Sequence, residues 1–218
     1  MADIIRYLSQ TNIEVGAKVP NFRLLDMNDN SFTLKDILGK PAVLYFYPLD
    51  NSSGCTAEAC EFRDVYDELQ ELNCDVYGIS PDDHESHIQF SSKHELPFQL
   101  CCDPSEQMMK DYGIWAEFLL NQNEIDYLKK FPKFLSRVYD ENKIQTVVRS
   151  TFLIDKNGLL IRKWVDVKPF GHASSVKDQL NKSFNFEIGF KSWSGRRDSN
   201  SRHPPWQGGA LPLSYFRN

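Results

Sequence analysis

The 218-residue chain has no apolar run approaching the roughly 18 residues that a membrane-spanning helix needs. Its start, Met1-Ala-Asp-Ile-Ile-Arg6, lacks the basic-then-apolar order of a secretory leader, so a cytoplasmic protein is expected. No surplus of positive charge is present. The formal net charge is −5, which argues against a nucleic-acid surface. The five cysteines lack the spacing of a small disulfide framework, which suggests separate thiols in a reducing compartment. There is no Cys-x-x-Cys, which disfavours a disulfide oxidoreductase, and no second well-spaced cysteine pair for structural zinc. His84, His87 and His94 have no metal-ligand pattern and read as solvated side chains on an exposed helix.

The informative stretch is Pro48-Leu-Asp-Asn-Ser52-Ser-Gly-Cys55-Thr-Ala-Glu-Ala-Cys60-Glu-Phe-Arg63-Asp64. Before it, Ala42 to Tyr47 is apolar on both faces, as in a central strand covered by helices. After it, Cys55, Ala59, Phe62, Tyr66 and Leu69 recur at helical spacing, predicting a helix that ends near Leu72. Ser52, Ser53 and Gly54 fall where a helix cap belongs. Cys55 is therefore expected in the first turn of a helix that begins at the end of a strand.

That placement favours a thiolate, the reactive form of cysteine. A free thiol of ordinary pKa is only about 3% ionised at pH 7. A helix N-terminus contributes about 0.3–1 kcal/mol, which does not make the anion dominant. An efficient nucleophile here needs a fixed cation nearby. A small buried side chain is the competing reading of Cys55. Cys60 lies five residues on, a Cα separation of about 8.6 Å along an ideal helix, against the roughly 4.4–6.8 Å of a disulfide. The two sulfurs cannot bond while the helix is wound.

Pro48-x-x-x-Ser52-x-x-Cys55 resembles the active-site pattern of the peroxiredoxins, Pro-x-x-x-Thr/Ser-x-x-Cys. A second cysteine five residues on resembles the bacterioferritin comigratory protein branch, also called peroxiredoxin Q. The flanks Val43-Leu-Tyr-Phe-Tyr-Pro48 and Glu61-Phe-Arg63-Asp64 fit as well. The resemblance covers roughly residues 13–183 and implies a thioredoxin-like α/β sandwich, with a central mixed sheet flanked by helices. It implies a thiol peroxidase acting on hydrogen peroxide and alkyl hydroperoxides. Cys55 would become a sulfenic acid and Cys60 would resolve it as an intramolecular disulfide. A thioredoxin-like dithiol would restore both thiols, with no cofactor, metal or membrane, and the chain is expected to be a monomer. Arg149, just before the Ser150-Thr-Phe-Leu-Ile-Asp155 run, matches the family's arginine and is the expected cation; Arg63 is a weaker candidate that could orient it or pair with Asp64. Ser52 supplies a hydroxyl for the peroxide, and Pro48 shapes the loop and shields the sulfur. A non-enzymatic redox switch at Cys55 is the alternative function. Cys101 and Cys102 remain a rival resolving pair, while Cys74 reads as buried and Trp115 as core or hinge.

The other expected elements support an α/β architecture. They include strands over Ala17 to Leu25, Ser31 to Thr33, Cys74 to Ile79, Pro97 to Cys102, Arg149 to Asp155 and Leu159 to Val165. Turns are expected at Met27 to Asn30 and, with a strong hairpin signal, at Asp155 to Gly158. Helices are expected from the Ser80-Pro-Asp-Asp83 cap to Lys93, through Tyr112, and from Ser174 to Phe184. Residues 1–16 carry little pattern. The domain is placed at 1–184. Within it, 116–145 is longer than the family usually carries there, reads as a partly helical surface insertion, and could instead dock a partner. Residues 185–218 carry five Lys/Arg against two Asp/Glu, with Pro-Pro and Gly-Gly, and are expected to form a disordered tail.

Overall fold

The structure, a computed structural model, describes residues 3–9 and 12–194, with side chains as far as 183. The fold below belongs to a unit Met1–Ser183; of a second unit, Phe184–Asn218, only helical backbone to Ser194 is described. Most of the tail expected to be disordered lies outside the described residues.

Within the weakly patterned lead-in, Asp3–Tyr7 forms strand β1. The hairpin expected at Met27 joins β2 (Arg23–Asp26) to β3 (Ser31–Thr33). The Asp26 carboxylate closes it by accepting the Asn28 and Asn30 amides, both at 2.8 Å. A 3-10 turn (Leu34–Ile37) leads to β4 (Ala42–Phe46), every residue of which is buried. The helix expected to run to Leu72 is broken at Val65, whose φ and ψ are −103° and 7°, into α1 (Ser53–Asp64) and α2 (Tyr66–Glu71). Cys55, Ala59, Phe62 and Leu69 nonetheless share the buried side. There follow β5 (Asp75–Ser80), α3 (His84–His94), β6 (Gln99–Cys102) and α4 (Gln107–Asp111). The segment read as a partly helical insertion begins and ends as strand. It comprises most of β7 (Trp115–Leu119), α5 (Gln122–Leu128), α6 (Pro132–Leu135) and the start of β8 (Lys143–Val147). The chain then forms β9 (Ser150–Ile154), β10 (Leu160–Val165) and α7 (His172–Ser194).

Seven strands lie in the order β10-β9-β4-β5-β6-β2-β3, with β4, β5 and β6 parallel and the other pairings antiparallel. This is the mixed α/β sandwich expected. A separate antiparallel sheet, β1-β7-β8, was not legible, because β1 buries almost none of its side chains and so shows no alternation. The strand period sorts β4's side chains between two layers. Ala42, Leu44 and Phe46 join Met109, Trp115 and Val147 in one core. On the other face Tyr45 stacks on Phe62 of α1 at 4.9 Å, and Tyr47 lies 6.1 Å from Phe90 of α3. Among the described residues, no helix is long and apolar enough to cross a membrane.

Gly78 sits at the centre of this packing, paired with Tyr45 on one side and Leu100 on the other. A Cβ there would stand 2.6 Å from Leu100 Cδ2 and 2.7 Å from Tyr45 Oη. Gly78→Ala is therefore expected to cost about 1–3 kcal/mol through overpacking. Urea unfolding checks this, and an unchanged midpoint would show that the two side chains yield freely.

Candidate active site

The strand β4 delivers the chain to the loop Tyr47–Ser52, and α1 carries it away. Asn51 turns the loop through a left-handed conformation, φ 58°. Ser52 occupies the N-cap with extended dihedrals, and its carbonyl accepts the Thr56 amide at 2.9 Å. Cys55 thus lies in the first turn of α1, as expected, and only 1% of it is exposed.

Arg149 reaches this sulfur from the junction of β8 and β9: its Nη2 donates to Cys55 Sγ at 3.2 Å. Its Nη1 donates to the carboxylate of Glu58, a side chain with no exposure. One guanidinium therefore bridges a thiol and an acid one helical turn apart. A Cβ at Gly54 would meet Arg149 Nη2 at 3.4 Å and Pro169 at 3.8 Å, both ordinary contacts, so the arrangement does not depend on a glycine there. The Ser52 hydroxyl serves either the Leu49 carbonyl, at 3.0 Å, or the sulfur. Pro48, at the start of the loop, is half-buried.

Burial pushes the Cys55 thiol up, while the charge of Arg149, the Ser52 and Arg149 hydrogen bonds and the Leu49 backbone pull it down; in this closed arrangement burial prevails. Burial also pushes Glu58 up, to about 7, against the pull of Arg149. Glu58 therefore changes charge near neutrality, and its anion competes with Cys55 for the guanidinium. Arg63 pairs with Asp64 at 2.8 Å, as one of its two expected roles had it, and donates to the His94 carbonyl at 2.9 Å; its charge acts on Cys60. All five cysteines are free; Cys60, on the same continuous α1, is partly exposed, and Cys74, Cys101 and Cys102 are buried.

Residues 15–163 match the model of the AhpC/TSA family. The peroxiredoxin Bcp of Bacillus subtilis is 37% identical over 168 residues, covering 77% of this chain and 95% of that protein. The putative peroxiredoxin bcp of Coxiella burnetii is 37% identical over 169 residues, 78% and 99% of the two chains. The chain belongs to the AhpC/TSA family. Within that family it is a peroxiredoxin of the Bcp/Q branch and a thiol peroxidase. The Xanthomonas campestris peroxiredoxin Q structure superposes with a TM-score of 0.62 at 26% identity, over 78% of this chain and 96% of that one. A bacterioferritin comigratory protein from the same organism, with alkyl peroxide reduction activity, gives 0.62 at 25% identity over 80% and 99%. The fold is the thioredoxin-like fold of the peroxiredoxins.

Beneath the peroxiredoxin loop lies a buried polar group that sequence reasoning missed. Asp50, 2% exposed, accepts from Tyr47 Oη at 2.8 Å, Ser86 Oγ at 2.7 Å and His87 Nδ1 at 2.8 Å. Its amide donates to Asp82 at 2.8 Å. His87, expected to be solvated, is fully buried, because α3 turns His87 and Phe90 inward and leaves Ile88 48% exposed. Its Nε2 faces the Cys101 carbonyl at 3.3 Å. Burial pulls His87 down, but hydrogen bonds to Asp50 and to the Cys102 thiol, with the Asp50 charge, raise it to about 10. Glu58 was missed as well. Its signal was an acid three residues after Cys55 and four before Phe62, on the buried stripe.

In Glu58→Gln the guanidinium keeps an acceptor and loses a competing anion. The Cys55 thiol is expected to titrate lower than in the parent, read by thiolate ultraviolet absorbance; an unmoved titration would show that the two acids do not compete. The folded chain holds the His87 proton more tightly than the unfolded one, whose value is about 6.5. That stabilisation is complete below about pH 6.5 and is lost as pH rises towards 10. His87→Gln is expected to cost on the order of 3–5 kcal/mol at neutral pH by stranding Asp50. Its unfolding free energy should fall less steeply over that alkaline window, and equal slopes would exclude the charged pair.

Proposed function

We propose that Cys55 is the peroxidatic thiol and Cys60 the resolving thiol of a peroxidase that reduces hydrogen peroxide and alkyl hydroperoxides. The observation that carries the reading is the contact of Arg149 Nη2 with Cys55 Sγ, 3.2 Å, at the first turn of a helix. A buried cation beside a thiol at a positive helix end favours the anion that attacks. Alkyl hydroperoxides enter because the Xanthomonas campestris relative reduces alkyl peroxides.

The Cys55 thiolate attacks one oxygen of the hydroperoxide. An S–O bond forms, the O–O bond breaks, and the departing alkoxide or hydroxide takes a proton to leave as alcohol or water. Admitting the peroxide also admits water, which relieves the burial that holds the thiol up and leaves the Arg149 interaction in place. Arg149, the Ser52 hydroxyl and the first-turn amides then stabilise charge on the transferring and leaving oxygens. Pro48 shapes the loop and would shield the sulfur from water. The sulfenic acid next condenses with the Cys60 thiol: an S–S bond forms and water leaves. Because α1 is continuous from Ser53 to Asp64, its first turns must unwind for the two sulfurs to meet. A thioredoxin-like dithiol is oxidised in turn and returns both thiols.

Resolution within one chain needs no second copy, which supports a monomer as the working unit. Five unpaired cysteines suit the reducing cytoplasm. The buried positions of Cys101 and Cys102 in β6 support Cys60, on the same helix as Cys55, as the resolving thiol.

Cys55→Ser is expected to abolish peroxide turnover with a dithiol reductant. Cys60→Ser should consume about one equivalent of peroxide and stop at the sulfenic stage. Intact mass after stoichiometric peroxide should show the parent short of two hydrogens, with Cys55 linked to Cys60. Sustained turnover in Cys55→Ser, or a link from Cys55 to Cys101 or Cys102, would overturn the assignment.

A further inference from the structure

We propose that Tyr127 is a positioning residue that latches the first turn of α1 in its wound state and so sets the pace at which Cys60 reaches Cys55. The inference rests on Cys60 being the resolving thiol. It concerns a residue of the 116–145 segment, far from the Cys55 pattern in sequence.

The N-cap of α1 is unusual. A Ser at that position normally accepts from an amide of the first turn. Here the Ser52 side chain makes no such bond, and its hydroxyl lies 3.0 Å from the Leu49 carbonyl behind it. The first helical amide, Ser53 N–H, donates instead to Tyr127 Oη at 2.9 Å, and the same phenol lies 3.4 Å from Ser53 Oγ. The cap of the helix that carries Cys55 is thus supplied by a side chain of α5.

That side chain has a firm base. α5 is closed at its start by a reciprocal cap: Asn121 Oδ1 accepts the Glu124 amide at 3.0 Å, and Glu124 accepts the Asn121 amide at 2.9 Å. Leu120, Leu128, Phe134 and Ile144 form a small apolar cluster against which Tyr127 packs. Leu49 belongs to the same cluster. The segment therefore holds the loop before Cys55 by the Leu49 side chain and the helix that contains Cys55 by the Ser53 amide.

Formation of the Cys55–Cys60 bond requires the first turns of α1 to unwind, and that motion carries Ser53 N–H off the phenol. While the helix stays wound, the Cys55 sulfenic acid faces any second peroxide, which oxidises it to sulfinic acid as the O–O bond of that peroxide breaks. Tyr127 thus biases the competition between disulfide and sulfinic acid without touching the reacting atoms. The loss of one hydrogen bond corresponds to about a threefold to tenfold change in the opening equilibrium.

The test compares the full chain with Tyr127→Phe, which keeps the ring in its cluster and removes only the hydroxyl. Each protein is mixed with stoichiometric hydrogen peroxide, trapped at intervals with a thiol-alkylating reagent and weighed intact. Conversion of sulfenic acid to disulfide is expected to be about threefold to tenfold faster in Tyr127→Phe, with the first oxidation step within about twofold of the parent. Under excess peroxide the sulfinic fraction should fall. Hydrogen exchange of the first-turn α1 amides should quicken by a similar factor while α5 amides keep their protection. Unchanged or slower disulfide formation, or an equal change in both chemical steps, overturns the latch. A parent that never links Cys55 to Cys60 removes the resolving assignment itself, which is a different failure from a parent and variant that resolve at the same rate.

Discussion

The site depends on where a sheet register places one guanidinium. In the antiparallel pairing of β4 with β9, Phe46 faces Ser150. The residue just before β9 therefore lies beside the residues just after β4, where the loop to α1 begins. Arg149 is that residue, and its backbone is held by the Val167 amide, which donates to its carbonyl at 3.0 Å. A slip of one residue in this register would turn every β9 side chain to the opposite face and withdraw the cation from Cys55. The fully buried β4 and β9 make such a slip costly, so the Arg149–Cys55 distance follows from core packing.

Once buried, the cation sets its own requirements. A guanidinium this deep needs anionic or acceptor partners on more than one nitrogen. The single helix α1 supplies both, Cys55 and Glu58, because positions three apart share a face. With Glu58 titrating at about 7, the charge balance around Arg149 differs on the two sides of neutrality. Asp50 with His87 is a second buried pair. It fixes the loop that precedes Cys55, since Asp50 lies between Pro48 and Ser52 and is tied to Tyr47, the residue that follows β4, and to α3 through Ser86 and His87. The loop is thus positioned by side-chain hydrogen bonds.

What the sequence revealed and what it hid divide along this line. The strand, the helix, Cys55 in its first turn and Arg149 as the cation were legible because each has a local signal: an apolar run, a 3.6-residue stripe, a capping cluster, an arginine set before a strand. The break at Val65 and the strand Asp3–Tyr7 were not, because the latter turns four of its five side chains to solvent and carries no period. His87 misled for a related reason. Periodicity assigns the inward face of α3 from apolar residues, and the helix buries a histidine while leaving Ile88 at 48% exposure. Its spatial partners, Asp50 on one side and Cys101 and Cys102 on the other, make that arrangement stable, and no sequence spacing connects residues of β4's loop or β6 to α3.

In the proposed cycle the same helix must satisfy two incompatible geometries. Wound, α1 delivers Cys55 to Arg149 and keeps it from Cys60; unwound, it surrenders the first contact to make the second. On that reading, bonds that favour the wound form hold Cys55 at Arg149 and delay its meeting with Cys60. This chain does not spend its own cap residue on the wound form, since Ser52 turns back to Leu49. The cap comes instead from α5, a different part of the chain, through one phenol and one amide. A constraint placed there acts on the unwinding equilibrium without altering any group that contacts the sulfur, which allows the two chemical steps to be adjusted separately.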